Sequence, residues 1–255
     1  MRTLRLWGQE ASITRPLVFE GGDNPTIHDA TISWDTLNSS VNRGEQAIHV
    51  GWREGGGGTY ETTLSLRDVT LWNVRVVVGR RARLDLAGVT IHNAPGEAAV
   101  EVLEGGQLEM RQGRIEGPDG CAIKVARGGK ATLFRVDVVE AKSHGVQAGE
   151  TAYGRGAGAG EASVRLKRVA VRGCQGAGVL VGLGGRLLCQ ETRLAGCKGW
   201  GIEAREGACV KRECVKATRC GAGGFSPEVG RQGLGELLCA GCCSGGAGWE
   251  PEIVV

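Results

Sequence analysis

A small residue, an apolar residue, any residue and a second apolar residue recur along the chain, closed in many copies by a glycine-rich turn. The pattern reads PLVFEGG at 16–22, AIHVGW at 47–52, RVVVGR at 75–80 and AVEVLEGG at 99–106. It continues as AIKVARGG at 122–129, GVQAGE at 145–150, GVLVGLGG at 178–185 and GIEAREG at 201–207. GFSPEVG at 224–230 and GWEPEIV at 248–254 are the closing copies. Their middle residues are Val18, His49, Val77, Glu101, Lys124, Gln147, Leu180, Glu203, Ser226 and Glu250, spaced by 31, 28, 24, 23, 23, 33, 23, 23 and 24 positions. The base period is therefore near 23, and the longer intervals hold the loop-like stretches NSSVNRGEQ at 38–46 and AYGRGAGAG at 152–160.

A second pattern lies between these copies, with apolar residues at offsets 0, 2, 5 and 7. Leu64, Leu66, Val69 and Leu71 show it, as do Leu84, Leu86, Val89 and Ile91, and Val164, Leu166, Val169 and Val171. Steps of two are strand alternation, and the step of three fits a bend between two short strands. Each period thus holds about three short strands and no helical stretch. Such a unit buries its apolar face only by stacking on copies of itself. The expected fold is all-β: a right-handed parallel β-helix of about nine coils, the whole chain forming one domain. Residues 1–15 would form an N-terminal cap, 16–247 the coils, and 248–255 the last strand and C-terminal cap. Leucine-rich repeats lack support because their signature is absent, and propeller blades need antiparallel hairpins and about 40 residues.

On these repeats, from about residue 12 to 251, the sequence resembles the right-handed β-helix, pectin-lyase-like superfamily. In style it is most similar to the degenerate repeats of the carbohydrate-binding-and-hydrolase type, also found in intracellular F-box and Shc-binding interaction modules. The resemblance implies the architecture. It leaves function open, because the superfamily holds lyases, hydrolases, tailspikes and interaction modules. In its polysaccharide-acting members the site lies on the face carrying the middle residues of the repeated strands.

Composition changes this picture little. The 45 glycines have no every-third-residue period, which excludes collagen. A formal net charge of +3 is close to balance and gives no reason to expect nucleic acid or an anionic membrane. The first residues, MRTLRLWGQEASITRP, lack an apolar leader segment, and no run of 18 apolar residues follows. The ten cysteines are accordingly expected to be reduced thiols in a cytoplasmic protein, with a cytoskeletal or ciliary setting as one option.

Candidate chemistry is sparse. Glu101 beside Lys124 on adjacent rungs reads as a cross-strand ion pair. Glu203 and Glu250, two rungs apart, are the best pair of carboxylates for glycoside hydrolysis, although capping explains Glu250 as well. Ser143-His144-Gly145 partly resembles one element of the polygalacturonase set, but no two aspartates are adjacent, and His144 reads as a coil-corner residue. Cys174, Cys197 and Cys220, spaced by 23 and 23, fall at one corner of three successive coils; Cys189, Cys214 and Cys239 are a looser series. Cys239, Cys242 and Cys243 have the only metal-like spacing and lack a second pair, so no metal and no cofactor is expected.

Trp34, Trp52 and Trp72 lie in the first third, and the alternation at Leu71 turns Trp72 outward. The sequence reading is therefore a non-enzymatic scaffold or adaptor within a large assembly, with other proteins as partners and no catalytic residues. Its interface candidates are Trp72, Trp52, Trp34, His49, Val77, Glu101, Lys124, Gln147, Leu180 and Glu203. The alternative is a carbohydrate-binding or carbohydrate-degrading protein, a polysaccharide lyase or glycoside hydrolase, using the same face.

Overall fold

The structure, a computed structural model, describes residues 10–19, 24–34, 46–51, 61–150, 160–205 and 207–227. These residues form a parallel β-solenoid of about eight turns, built from short strands in three sheets. Sheet A stacks β1 (Glu10–Ile13), β4 (Thr31–Trp34), β7 (Thr70–Trp72), β10 (Thr90–His92), β13 (Arg114–Glu116), β16 (Asp137–Val139), β19 (Ala170–Arg172), β22 (Arg193–Ala195) and β25 (Lys216–Thr218). Sheet B stacks β2 (Leu17–Phe19), β5 (Ala47–Val50), β8 (Arg75–Val78), β11 (Ala98–Val102), β14 (Cys121–Val125), β17 (Val146–Ala148), β20 (Val179–Val181), β23 (Trp200–Ala204) and β26 (Gly223–Phe225). Sheet C stacks β3 (Thr26–His28), β6 (Thr62–Arg67), β9 (Ala82–Ala87), β12 (Gln107–Arg111), β15 (Lys130–Phe134), β18 (Ala162–Lys167), β21 (Gly185–Gln190) and β24 (Cys209–Glu213).

The all-β parallel β-helix expected from the repeats is thus the fold, with a period of about 23 and about eight turns in place of nine. The stretch of the last expected copy, 248–254, lies outside the described residues, as does most of both expected caps.

The offsets of the second pattern map directly onto the sheets. Leu64 and Leu66 point inward from β6, a bend follows, and Val69 and Leu71 point inward at the corner and from β7; all four are at most 1% exposed. The bend is set by one left-handed residue per turn, at Asp29, Asp68, Gly88, Gln112, Arg135, Arg168, Glu191 and Cys214. A matching row marks the corner from sheet A to sheet B at Asn73, Asn93, Gly117, Glu140, Gly173, Gly196 and Arg219. An L-residue tolerates this region only at a cost, which glycine avoids and Asn or Asp reduces. Stacking of the apolar residue that follows most of these bends, as at Val69, Val89, Val136 and Val169, offsets that cost, because it extends a continuous core.

At the corner from sheet A to sheet B that following position is Val74, Ala94, Pro118, Ala141, Cys174, Cys197 and Cys220 in successive turns. The cysteine series spaced by 23 therefore continues a row of small buried residues, as its spacing indicated. Cys174 and Cys197 belong to the core, and Cys220 packs against it. The second cysteine series does not share a register. Cys189 faces the core from β21 opposite Arg212, whereas Cys214 is an exposed bend residue.

Several expected surface residues are covered. Trp34 is 3% exposed and belongs to the core, because the alternation in TISW sends Ile32 and Trp34 inward and Ser33 outward. Val77, Gln147 and Leu180 do stand in the outward row of sheet B, yet they are 3%, 7% and 0% exposed. Val77 and Leu180 lie outside the central core, so the outer face of sheet B is itself covered at these rungs. Ser226 is buried as well, its hydroxyl accepting the Ala204 N–H at 3.0 Å. Trp52 lies outside the described residues.

Candidate functional site

The outer face of sheet B carries a continuous polar network over β8, β11 and β14. Glu101 lies 3.7 Å from the Arg75 guanidinium and 3.3 Å from the Lys124 ammonium. The ion pair expected from the adjacent-rung positions of Glu101 and Lys124 is therefore present. Lys124 also donates to Glu97, which lies in the preceding corner. This contact holds the Glu97 carboxyl below the usual carboxylate range, and the two acids together hold the Lys124 ammonium above its ordinary value against the opposing effect of burial. Further along the row, His49 is half-buried; desolvation, helped by the Arg75 charge, lowers its pKa and leaves it neutral at pH 7.

Beside this network lies an open concavity of about 420 Å³, whose walls include Glu97, Asp119, Cys121, Lys124, Ser143 and Gln147. Its volume falls within the range of small-ligand sites, about 300–1,000 Å³. Three corner segments about one period apart build it: Gly96 and Glu97, Asp119 and Gly120, and Ser143. Glycine is required at 120, where an added Cβ would lie 2.1 Å from the Glu97 carbonyl oxygen. Asp119 accepts from Lys142 at 2.7 Å. Gln147 donates to the Gly149 carbonyl, and its own carbonyl accepts from the Cys121 thiol at 3.4 Å. Burial pushes the Cys121 thiol up, so it is present as the thiol and acts as a small donor rather than as a nucleophile.

Glu101, Lys124 and Gln147 are the sequence candidates gathered at or beside this concavity. Glu97, Asp119 and Cys121 escaped the sequence reading, which followed the strands and passed over the corners; Ser143 entered it only beside His144. The corners follow the same period, with Glu97, Gly120 and Ser143 spaced 23 apart and Asp119 next to Gly120, so residues in the corners stack as regularly as those in the strands.

The remaining candidates lie apart from it. Trp72 is 39% exposed, and one face of its indole stacks on the His92 imidazole of the next rung at 4.0 Å and 13°. It is thus a rung of an aromatic pair on sheet A, with a face already taken. Glu203 lies 3.7 Å from Arg205 and close enough to raise the pKa of His144, although burial dominates and lowers it. Its expected partner Glu250 lies outside the described residues. His144 occupies a coil corner, as expected, and its Nδ1 accepts the Ala177 N–H at 3.0 Å. In the core row, the hydrogen-bonded neighbour Cys197, and burial after it, push the Cys174 thiol up. Among the described residues no group of three His, Cys, Asp or Glu side chains is placed to hold a metal ion; Cys239, Cys242 and Cys243 lie outside them.

No family model matches the chain, and no curated protein does. Among solved structures, it is similar to a double mutant of the periplasmic alginate epimerase AlgG at 13% identity and a TM-score of 0.36, covering 79% of this chain and 47% of that one. It is also similar to the catalytic domain of a GH87 alpha-1,3-glucanase variant in complex with nigerose, at 10% identity and a TM-score of 0.36, covering 89% and 61%. The chain thus spans about half to three fifths of the length of these structures. The non-enzymatic scaffold expected from the sequence is corrected here: these structural neighbours are carbohydrate-active β-helix enzymes, and nothing ties the chain to the F-box type. The surface assigned to a partner protein is also partly covered, at Trp34, Val77, Gln147 and Leu180.

Proposed function

We propose that the chain acts on carbohydrate, with the concavity beside sheet B as its recognition site. The observation that carries this reading is the mixture of groups in one open hollow: carboxylates at Glu97 and Asp119, an ammonium at Lys124, a hydroxyl at Ser143 and an amide at Gln147. Each sugar hydroxyl both donates and accepts a hydrogen bond, so it is matched by a lining that offers acceptors and donors side by side. The ion pairs to Lys124 and Lys142 hold the acids in place and reduce the reorganisation needed when a ligand arrives. Because the Glu97 carboxyl is held low, it is an ionised acceptor at neutral pH and suits recognition better than proton donation.

The test is titration calorimetry against a panel of neutral and acidic oligosaccharides, with product analysis of the same mixtures for cleavage. Asp119→Asn combined with Lys124→Gln is expected to weaken binding more than tenfold while the melting temperature stays within a few degrees. A doubly substituted protein that melts normally and binds every saccharide as the parent does would overturn the assignment.

A further inference from the structure

The row that follows the corner from sheet A to sheet B changes chemistry part-way along the solenoid. Val74, Ala94, Pro118 and Ala141 fill it in the earlier turns, and Cys174, Cys197 and Cys220 fill it in the next three. Valine and alanine satisfy the packing there, so packing alone does not call for sulfur. The three thiols share one conformation. Each donates to the carbonyl two residues before it, at 3.9 Å to Arg172, 3.8 Å to Ala195 and 3.6 Å to Thr218. Their backbones are in register: the Lys198 N–H donates to the Cys174 carbonyl at 2.9 Å, and the Gly221 N–H to the Cys197 carbonyl at 2.8 Å. Successive cysteines therefore stand one rung apart, about 4.8 Å between backbones, within the Cα separation of about 4.4–6.8 Å that a disulfide spans. Glycine at 178 keeps the space beside the middle sulfur open, because a Cβ there would lie 3.3 Å from Cys197 Sγ.

Depth separates the three. Cys174 and Cys197 are at most 1% exposed, whereas Cys220 is partly exposed, so a reagent in solution reaches Cys220 first. We infer that Cys197 and Cys220 are a dithiol site, oxidised by a low-molecular-weight disulfide to a bridge across two turns. The Cys220 thiolate attacks one sulfur of that disulfide, forming a mixed disulfide and releasing the first small thiol. Burial holds the Cys220 thiol up, so this step quickens as pH rises. The Cys197 thiolate then attacks the Cys220 sulfur, breaks the mixed disulfide and releases the second small thiol. Hydrogen bonding from Cys174, and from Cys220 after it, lowers the Cys197 pKa against the opposing effect of burial, and this favours the attacking thiolate. Two protein thiols are oxidised, one small disulfide is reduced, and both protons end on the released thiols. The bridge joins positions 23 apart, one full coil, and ties the corner between β22 and β23 to the corner between β25 and β26. Closing that loop restricts the unfolded chain and so stabilises the solenoid. The site is independent of the concavity beside sheet B.

The test incubates the reduced full chain with oxidised glutathione, alkylates the remaining thiols in denaturant and maps the peptides without reduction. A linked peptide pairing Cys197 with Cys220 is expected, with a melting temperature at least a few degrees above that of the reduced form. Dithiothreitol should reverse both. Cys197→Ala places in the row a residue type that it already holds at Ala94 and Ala141. This variant should leave Cys220 carrying glutathione and lose the gain in melting temperature. Cys174→Ala should still form the bridge, with the pH dependence of closure displaced upward, because Cys197 loses the hydrogen bond that lowers it. Full alkylation of Cys197 and Cys220, or oxidation confined to the exposed Cys209 and Cys214, would overturn the site. A bridge between Cys174 and Cys197 in the parent chain would overturn the choice of pair. Cys220 free of glutathione in Cys197→Ala would overturn the order of attack.

Discussion

The Nδ1 atom of His144 accepts the backbone N–H of Ala177 at 3.0 Å, tying the corner before β17 to the corner before β20 in the next turn. An imidazole used this way is neutral, with its proton on Nε2, and burial lowers its pKa below 6.5. His49 is shifted in the same direction, by burial first and by Arg75 second. For both, the unfolded chain takes up a proton more readily than the folded one. Their contribution is fully present above the unfolded pKa and is lost as pH falls below it.

Denaturant midpoints are therefore expected to drop between about pH 7 and 5, with a shallower slope in His144→Ala and in His49→Ala. A slope unchanged in both variants would show that carboxylates alone set the acid sensitivity.

Leu71 and Trp72 are neighbours in sequence and opposites in environment, one fully buried and the other 39% exposed. Leu71→Ala is expected to cost about 2–5 kcal/mol, as deletions in packed cores do. Trp72→Ala removes an exposed stack on His92 and should cost about 0.5–1.5 kcal/mol. Urea unfolding of the two variants checks the register of β7; a reversal of the order would mean that the strand faces the other way.

Much of this register was legible in the sequence. The offsets 0, 2, 5 and 7 mark inward residues on both sides of a bend, and the structure buries Val164, Leu166, Val169 and Val171 accordingly. The ion pair of Glu101 with Lys124 followed from period alone. What the period does not carry is the cover over an outer face: Val77 and Leu180 point outward and are still buried. It also hides convergence across insertions. Lys130 and Ser163 stand opposite each other only because an insertion between β15 and β18 leaves the strand register intact. The concavity was missed for a related reason, since Glu97, Asp119 and Ser143 belong to corners, where no alternation of apolar and polar residues guides the eye.

The thiols divide by depth. Cys209 and Cys214 are exposed, whereas Cys174, Cys189 and Cys197 are at most 1% exposed, and burial pushes the Cys189 thiol to about 11. A thiolate-seeking maleimide should label Cys209 and Cys214 in the folded protein and reach the three buried residues only after denaturation. Peptide mapping by mass spectrometry reads this directly. Prompt labelling of Cys197 would mean that the corner row opens in the native state.

The bend row offers a test of how strain and packing share each turn. Gln112 sits at φ 53°, an exposed position with the left-handed backbone that joins β12 to β13. An L-residue there carries a penalty of roughly 1–2 kcal/mol, which glycine does not. Glycine in turn loses more conformational freedom on folding, which takes back about 0.5–1 kcal/mol. Gln112→Gly is therefore expected to change stability by less than about 1 kcal/mol, in the favourable direction. Gln112→Val should destabilise by more than that, because a β-branched side chain is poorly accommodated at positive φ. Equal midpoints for the glycine and valine variants in urea would mean that the turn is held by its stacked neighbours, Gly88 before it and Arg135 after it, and not by the residue that makes it.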